Sequence, residues 1–157
     1  MCEYCGCQAL ESIDQLTLEH ETVVRLISHV RDAHRDGAVA RMAQLAREIA
    51  AVLGPHTEVE EKGLFPALAG DFPEKIATLE AEHRLIDAVL AEAEGPFLAD
   101  RSWPQRLIRT LDLLRDHILK EQDGVFPAAL ALLDIEQWEA VDAVRARVRT
   151  LAHQPSS

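Results

Sequence analysis

Two segments of the 157-residue chain set a histidine and a glutamate four residues apart, His56 with Glu60 and His117 with Glu121. On a helix, residues at that spacing share a face and lie about one turn, roughly 6 Å, apart. An imidazole nitrogen and a carboxylate oxygen can therefore reach one point. Together these donors suit a transition metal in a helical core better than a closed zinc–sulfur site. One such pair is a weak signal, but here the match runs further. His56-Thr-Glu-Val-Glu60-Glu-Lys-Gly63-Leu-Phe65-Pro66-Ala67 aligns with His117-Ile-Leu-Lys-Glu121-Gln-Asp-Gly124-Val-Phe126-Pro127-Ala128, and His, Glu, Gly, Phe, Pro and Ala recur at equal offsets. A fainter repeat sets Glu19-His20 against Glu82-His83. The chain reads as a helix pair used twice.

Amphipathic helices must position these residues, since apolar residues recur three and four apart through most of the sequence and no strand-period alternation of any length occurs. A first helix is expected from Ala9 to His34 with the stripe Leu10, Ile13, Leu16, His20, Val23, Ile27, Val30, ending at the turn Asp36-Gly37. A second runs from Val39 to Leu64, bent at Gly54-Pro55 and ended by Phe65-Pro66. A third runs from Glu74 to Glu94, and a fourth opens at the N-cap Ser102, with Gln105 completing a capping box. A last helix starts at the cap Asp134, with Gln137 three residues on. His20, His56, His83 and His117 each take a core-facing place, one per long helix. Buried imidazoles need partners, and one shared metal site would serve all four. The expected fold is all-α, an up-down-up-down four-helix bundle with a short C-terminal helix. Residues 1–8 form a Cys-rich tail, 9–133 the bundle, and 134–157 a helix and tail of the same domain.

Other chemistry-bearing residues fall outside this set. Cys2, Cys5 and Cys7 form a dense thiol cluster that reads as a second metal site, a redox dithiol or a loose tail with reactive thiols. His29 lies opposite His20 around its helix and is expected at the surface. His34 sits about 21 Å along the axis from His20, and His153 lies in a polar tail. Glu19, Glu21 and Glu82 flank the core histidines and are candidates to hydrogen-bond them from outside. Gly63 to Pro66 and Gly124 to Pro127 read as structural, with proline ending each helix and phenylalanine plugging the bundle end.

Composition bounds the partners. The net charge of −11 argues against nucleic acid and anionic membrane, and no apolar run nears the roughly 18 residues of a membrane span. The N-terminus has neither a basic start nor an apolar stretch of the kind a secretion signal needs. With no cysteine in the body of the chain, a reducing, cytoplasmic setting is expected.

The order His, His-x-x-x-Glu, His, His-x-x-x-Glu, continued by Gly-Leu-Phe-Pro, resembles the hemerythrin-like HHE cation-binding domains over about residues 10 to 133. The resemblance implies two non-haem irons with an oxo or hydroxo bridge. By position it makes His20, His56, His83 and His117 terminal ligands, and Glu60 and Glu121 bridging ligands. The rival carboxylate bundles, ferritin-like proteins, use Glu-x-x-His on two helices, and only Glu80 to His83 matches that spacing here. Oxygen-carrying hemerythrins place a further histidine one turn from the third-helix ligand and an Asp-ended motif on the fourth helix. This chain offers Leu79 and Asp87 around His83, and Glu121 on the fourth helix. Two octahedral irons have about twelve positions, and the implied ligands and bridge leave about two of them open. Asp87, Glu80, Glu61 or Tyr4 could fill one. The implied function is reaction with small oxidants, hydrogen peroxide first. Binding or sensing of O2 or NO, and iron storage or delivery, are the alternatives.

Overall fold

The computed structural model describes residues 5–96 and 99–152, with backbone only for Cys5, Gly6 and Ala152. All regular structure among the described residues is helical. Helix α1 spans Cys5–Arg35 and begins four residues earlier than the apolar stripe indicates. It stops where Gly37 takes φ 68°, a left-handed turn that glycine enters without a Cβ penalty. Helix α2 covers Val39–Val59.

As expected of a helix continuing beyond Gly54-Pro55, α2 runs through Pro55. The carbonyl that Pro55 cannot bond belongs to Ala51, an exposed residue, so water can serve it. The helical pattern changes later, at Glu60–Leu64, which form a π-helical turn. The Phe65 N–H closes that turn on the Glu60 carbonyl, and α3, Phe65–Leu68, follows directly. The fourth long helix repeats the device. After α4 (Pro73–Ala91, extended by a 3-10 turn at Glu92–Glu94) comes α5 (Trp103–Lys120), then a π turn at Glu121–Val125 closed by the Phe126 N–H on the Glu121 carbonyl, then α6 (Phe126–Leu132). Pro66 and Pro127 therefore do not terminate helices. Each sits in the first turn after a π turn, where a missing N–H is tolerated.

The capping box expected at Ser102 is not formed. Ser102 is helical, and its hydroxyl donates to Asp100 Oδ1 at 2.7 Å. The box at the last helix, α7 (Ile135–Ala152), does form. The Gln137 N–H donates to Asp134 Oδ1 at 2.8 Å, and the Asp134 N–H donates to Gln137 Oε1 at 2.9 Å. At 18 residues, α7 equals α5 and is no short appendage.

Helices α1, α2, α4 and α5 pack in a ring, α1 on α2, α2 on α4, α4 on α5 and α5 on α1. Two apolar clusters fill this bundle. One gathers around Ile27, Ile49, Trp103 and Leu111, and the other around Leu16, Phe65, Leu79, Phe126 and Trp138. In sequence, each core histidine of the first three long helices falls between a member of one cluster and a member of the other, His20 for example between Leu16 and Val23. A polar layer thus lies between two apolar ones. Helix α7 covers α1, α2 and the first π turn. Its approach is close at Gly63, where a Cβ would lie 3.1 Å from the Val141 Cα and α7 would have to yield by a few tenths of an ångström.

Candidate metal centre

The four histidines and two glutamates that the repeat singled out meet in the polar layer. His20, His56, Glu60, His117 and Glu121 are at most 2% exposed, and His83 is 6% exposed. Their donor atoms form two groups, His20, His56, Glu60 and Glu121 in one and Glu60, His83, His117 and Glu121 in the other, each with its donors within 4.8 Å of one another. Both carboxylates belong to both groups. Glu60 Oε2 faces His56 Nε2 at 3.3 Å and Glu60 Oε1 faces His83 Nε2 at 3.3 Å. Glu121 Oε1 faces His20 Nε2 at 2.9 Å and Glu121 Oε2 faces His117 Nε2 at 3.2 Å.

These separations test whether a metal pair fits. Donors about 2.1 Å from an octahedral ion lie about 3.0 Å apart at neighbouring positions. The His83 and His117 Nε2 atoms, 2.9 Å apart, meet that spacing, as do the imidazole–carboxylate pairs. His56 Nε2, both oxygens of Glu60 and Oε2 of Glu121 are buried without a hydrogen-bond partner among the described residues. The ion-pair distance from His56 to Glu60 is present, but the atoms are not aligned for a hydrogen bond. Buried polar atoms left unpaired are costly, and two cations shared by the carboxylates would satisfy all four. The residues fit a dinuclear centre.

Each outward nitrogen is held from a neighbouring helix. His56 Nδ1 meets Glu19 Oε1 at 2.9 Å, and His117 Nδ1 meets Glu82 Oε1 at 2.9 Å. Glu19 and Glu82 thus serve not the histidines they adjoin in sequence but those on the paired helix. His83 Nδ1 meets Glu61 Oε2 at 2.6 Å, and His20 Nδ1 meets Gln122 Oε1 at 3.0 Å. Arg145 of α7 grips Glu19 with two bonds of 2.7 and 3.0 Å, while Lys120 holds Glu82 at 2.6 Å. Phe126 stacks on His20 and Phe65 on His83, with ring centres 5.4 and 5.8 Å apart. The phenylalanines therefore fix imidazole planes, beyond plugging a bundle end.

The charges follow this geometry. Burial alone would depress the His56 imidazole, but Glu60 and the bond to Glu19 overcome it and raise the pKa to about 10. His83, with Glu60 and Glu61 as partners, rises to about 9 against the same burial. His117 is also raised, since Glu121 outweighs burial. Burial would lift Glu60, yet the attraction of the His56 imidazole, with His83 close by, holds it well below the carboxylate range. Glu19 falls to about 2, because His56 and Arg145 outweigh its burial.

The remaining candidates fall elsewhere. Glu61, considered as an extra ligand, turns to the outer nitrogen of His83. Glu80 joins neither donor group, and the contact it makes is a backbone carbonyl accepting from Arg84. Asp87 lines the small void between the two groups, with Thr57 and the apolar Leu53, Ile86, Leu114 and Ile118. Partial burial lifts its carboxyl above the ordinary value, more than His83 lowers it. Leu79, one of the two places where a fifth histidine would be sought, is buried in the second apolar cluster. His29 is exposed as expected, His34 is half-buried, and Glu21 is exposed. Cys7 is disulfide-bonded, which differs from the reduced thiols expected. Cys2, Tyr4, the Cys5 side chain and His153 lie outside the described residues. Gln122 and Arg145 were missed by the sequence reading. The one signal for Gln122 was its place beside Glu121, equivalent to Glu61 beside Glu60. For Arg145 it was a charge adjoining the apolar stripe of Val141, Val144 and Val148.

A helical bundle with this buried histidine–glutamate layer is a metal-binding protein. The sequence profile of the hemerythrin HHE cation binding domain matches residues 11–129, and the chain belongs to that family. No curated protein and no solved structure matches.

Proposed function

We propose that the ring of α1, α2, α4 and α5 is an up-down-up-down four-helix bundle that holds two non-haem irons and reacts with small oxidants, hydrogen peroxide foremost. In this reading His20, His56, His83 and His117 would hold the pair together with Glu60 and Glu121, the two residues common to both donor groups. The observation that carries it is the sharing of both carboxylates by two donor groups at metal-ligand spacings. When bound, the irons supply electron exchange and open positions for an oxygen donor.

The chain selects what reaches them. The void beside the donors has a volume of about 10 Å³, about the space that a single water needs, which favours the smallest oxidants. Its apolar side chains, Leu53, Ile86, Leu114 and Ile118, keep bulk water away. Asp87, whose carboxyl is raised by partial burial, is the acid–base group on that lining outside the six proposed ligands. Peroxide disproportionation needs such a group, because two H2O2 become one O2 and two H2O with protons passing between the two oxygens.

The same small void beside the donors supports a second reading, binding of O2 or NO without turnover. Oxygen release from peroxide added to the iron-loaded protein tests the first reading, with the Asp87→Asn variant expected to slow it by about 100-fold. A reversible O2 spectrum with no peroxide turnover would establish the second reading instead.

A further inference from the structure

The internal repeat makes one half of the molecule a template for the other. Aligning His20 with His83 and His56 with His117 sets Ser12 opposite Lys75, Glu19 opposite Glu82, and Gly63 opposite Gly124. In the first half this face is covered by α7. Val141 lies over Gly63, Asp142 accepts from Ser12 at 2.8 Å and from Gln8 at 2.5 Å, and Arg145 binds Glu19. In the second half the equivalent face is open. It forms a groove of about 570 Å³ with Phe72, Ile76 and Leu79 on one side and Val125 and Ala128 on the other. A Cβ on Gly124 would meet nothing within 4 Å.

We propose that this groove is a docking site for an amphipathic α-helix of a separate polypeptide, one that presents an apolar residue to Gly124 and, next to it, a carboxylate to Lys75. The first half shows what the surface accepts, since the same glycine at the same offset admits a helix to backbone contact. The differences between the halves define the partner. The cation that α7 supplies to Glu19 is supplied to Glu82 by Lys120 from within its own half, so the occupant needs no arginine there. Ser12 is replaced by Lys75, which makes no ion pair among the described residues and is one of only three lysines in this acidic chain. The place from which the neutral Ser12 hydroxyl donates to Asp142 in the first half is cationic in the second. Glu74 and Asp123 also line the groove. They disfavour a uniformly acidic peptide and leave a single carboxylate at a defined position as the match. The chain's own α7 cannot be the occupant while Val141 and Arg145 hold it on the other half.

A helix-stapled peptide of residues 134–152, which carries the Val141-Asp142 pair, is a suitable probe against the full metal-loaded chain by fluorescence anisotropy. Saturable one-to-one binding is expected. Gly124→Leu should weaken it about tenfold, since a side chain there fills the line of approach. Peptide with Asp142→Lys should bind the wild type more weakly and regain affinity for the Lys75→Glu chain. Far-ultraviolet dichroism should be unchanged in both protein variants, whose positions are exposed. Absence of saturable binding would overturn the proposal. So would binding that survives Gly124→Leu, because the peptide would then be exchanging with α7. A concentration-dependent dimer that Gly124→Leu dissolves would assign the groove to a second copy and likewise overturn it.

Discussion

Glu61 and Gln122 occupy equivalent places in the repeat, each following a shared glutamate, yet one is an anion and the other a neutral amide. His83 therefore has a carboxylate behind its imidazole and His20 does not. A charged acceptor on the outer nitrogen makes the inner nitrogen a stronger donor, and such partners alter metal affinity by about 10- to 100-fold. Gln122→Glu is expected to tighten binding at the His20 end by about tenfold, and Glu61→Gln to loosen the His83 end by a similar factor. Competition against a graded chelator reads both. Equal affinities across the two variants and the wild type would show that acceptor charge does not tune this centre. Loss of a shared carboxylate is a larger change. Glu121→Ala removes the acceptor facing both His20 and His117 and should reduce bound iron from about two per chain to below one. His29→Ala, on the exposed face, should leave the metal content intact.

The long helices and their inward faces could be read directly, because burial imposes a 3.6-residue period on apolar residues and His20, His56, His83 and His117 keep to that period. The π turns could not. A π turn differs from an α turn by one residue, and no residue type demands it. The only trace was the repeated Gly, Phe and Pro after each shared glutamate, which sequence reasoning took as a helix end. Glu19 and Glu82 could be read as outer partners, but which histidine each outer group serves was hidden for another reason. Glu19 reaches His56 and Glu61 reaches His83 across helix boundaries, and neighbours of that kind depend on helix rotation, which periodicity fixes only loosely. The asymmetry of the two glycines was equally invisible. Gly63→Ala should cost about 1–3 kcal/mol, because the new Cβ meets the Val141 backbone at 3.1 Å. Gly124→Ala has open space and should be neutral or stabilising by up to about 1 kcal/mol through helix propensity. Urea unfolding of the two variants checks the difference, and equal destabilisation would mean that α7 does not pack on the first turn.

At the scale of the whole molecule, the polar layer divides the core into two apolar clusters, so fold stability and metal binding are coupled. Without metal, the layer is held by imidazolium–carboxylate pairs. His56 and His83 have folded-state values of about 10 and about 9, above the ordinary 6.5. A histidine raised in this way contributes stability that is fully present below pH 6.5 and is lost as pH rises through its folded value. The metal-free protein should therefore lose stability between about pH 6.5 and pH 10. Glu19, lowered to about 2, acts in the opposite sense, and its contribution is lost only as pH falls from 4.5 toward 2. Metal binding reverses the histidine trend, because a ligand imidazole must give up its proton and higher pH favours the bound state. A ligand that binds only the folded chain at 1,000 times its dissociation constant stabilises it by about 4 kcal/mol. The gap between the metal-loaded and chelator-treated melting temperatures should thus widen from pH 6.5 toward pH 9, with the chelated curve falling while the loaded curve holds. Thermal melts at fixed free metal across this range test the coupling. A gap that stays constant or narrows would mean that protons and metal do not compete for His56 and His83, and hence that these imidazoles are not where the metal binds.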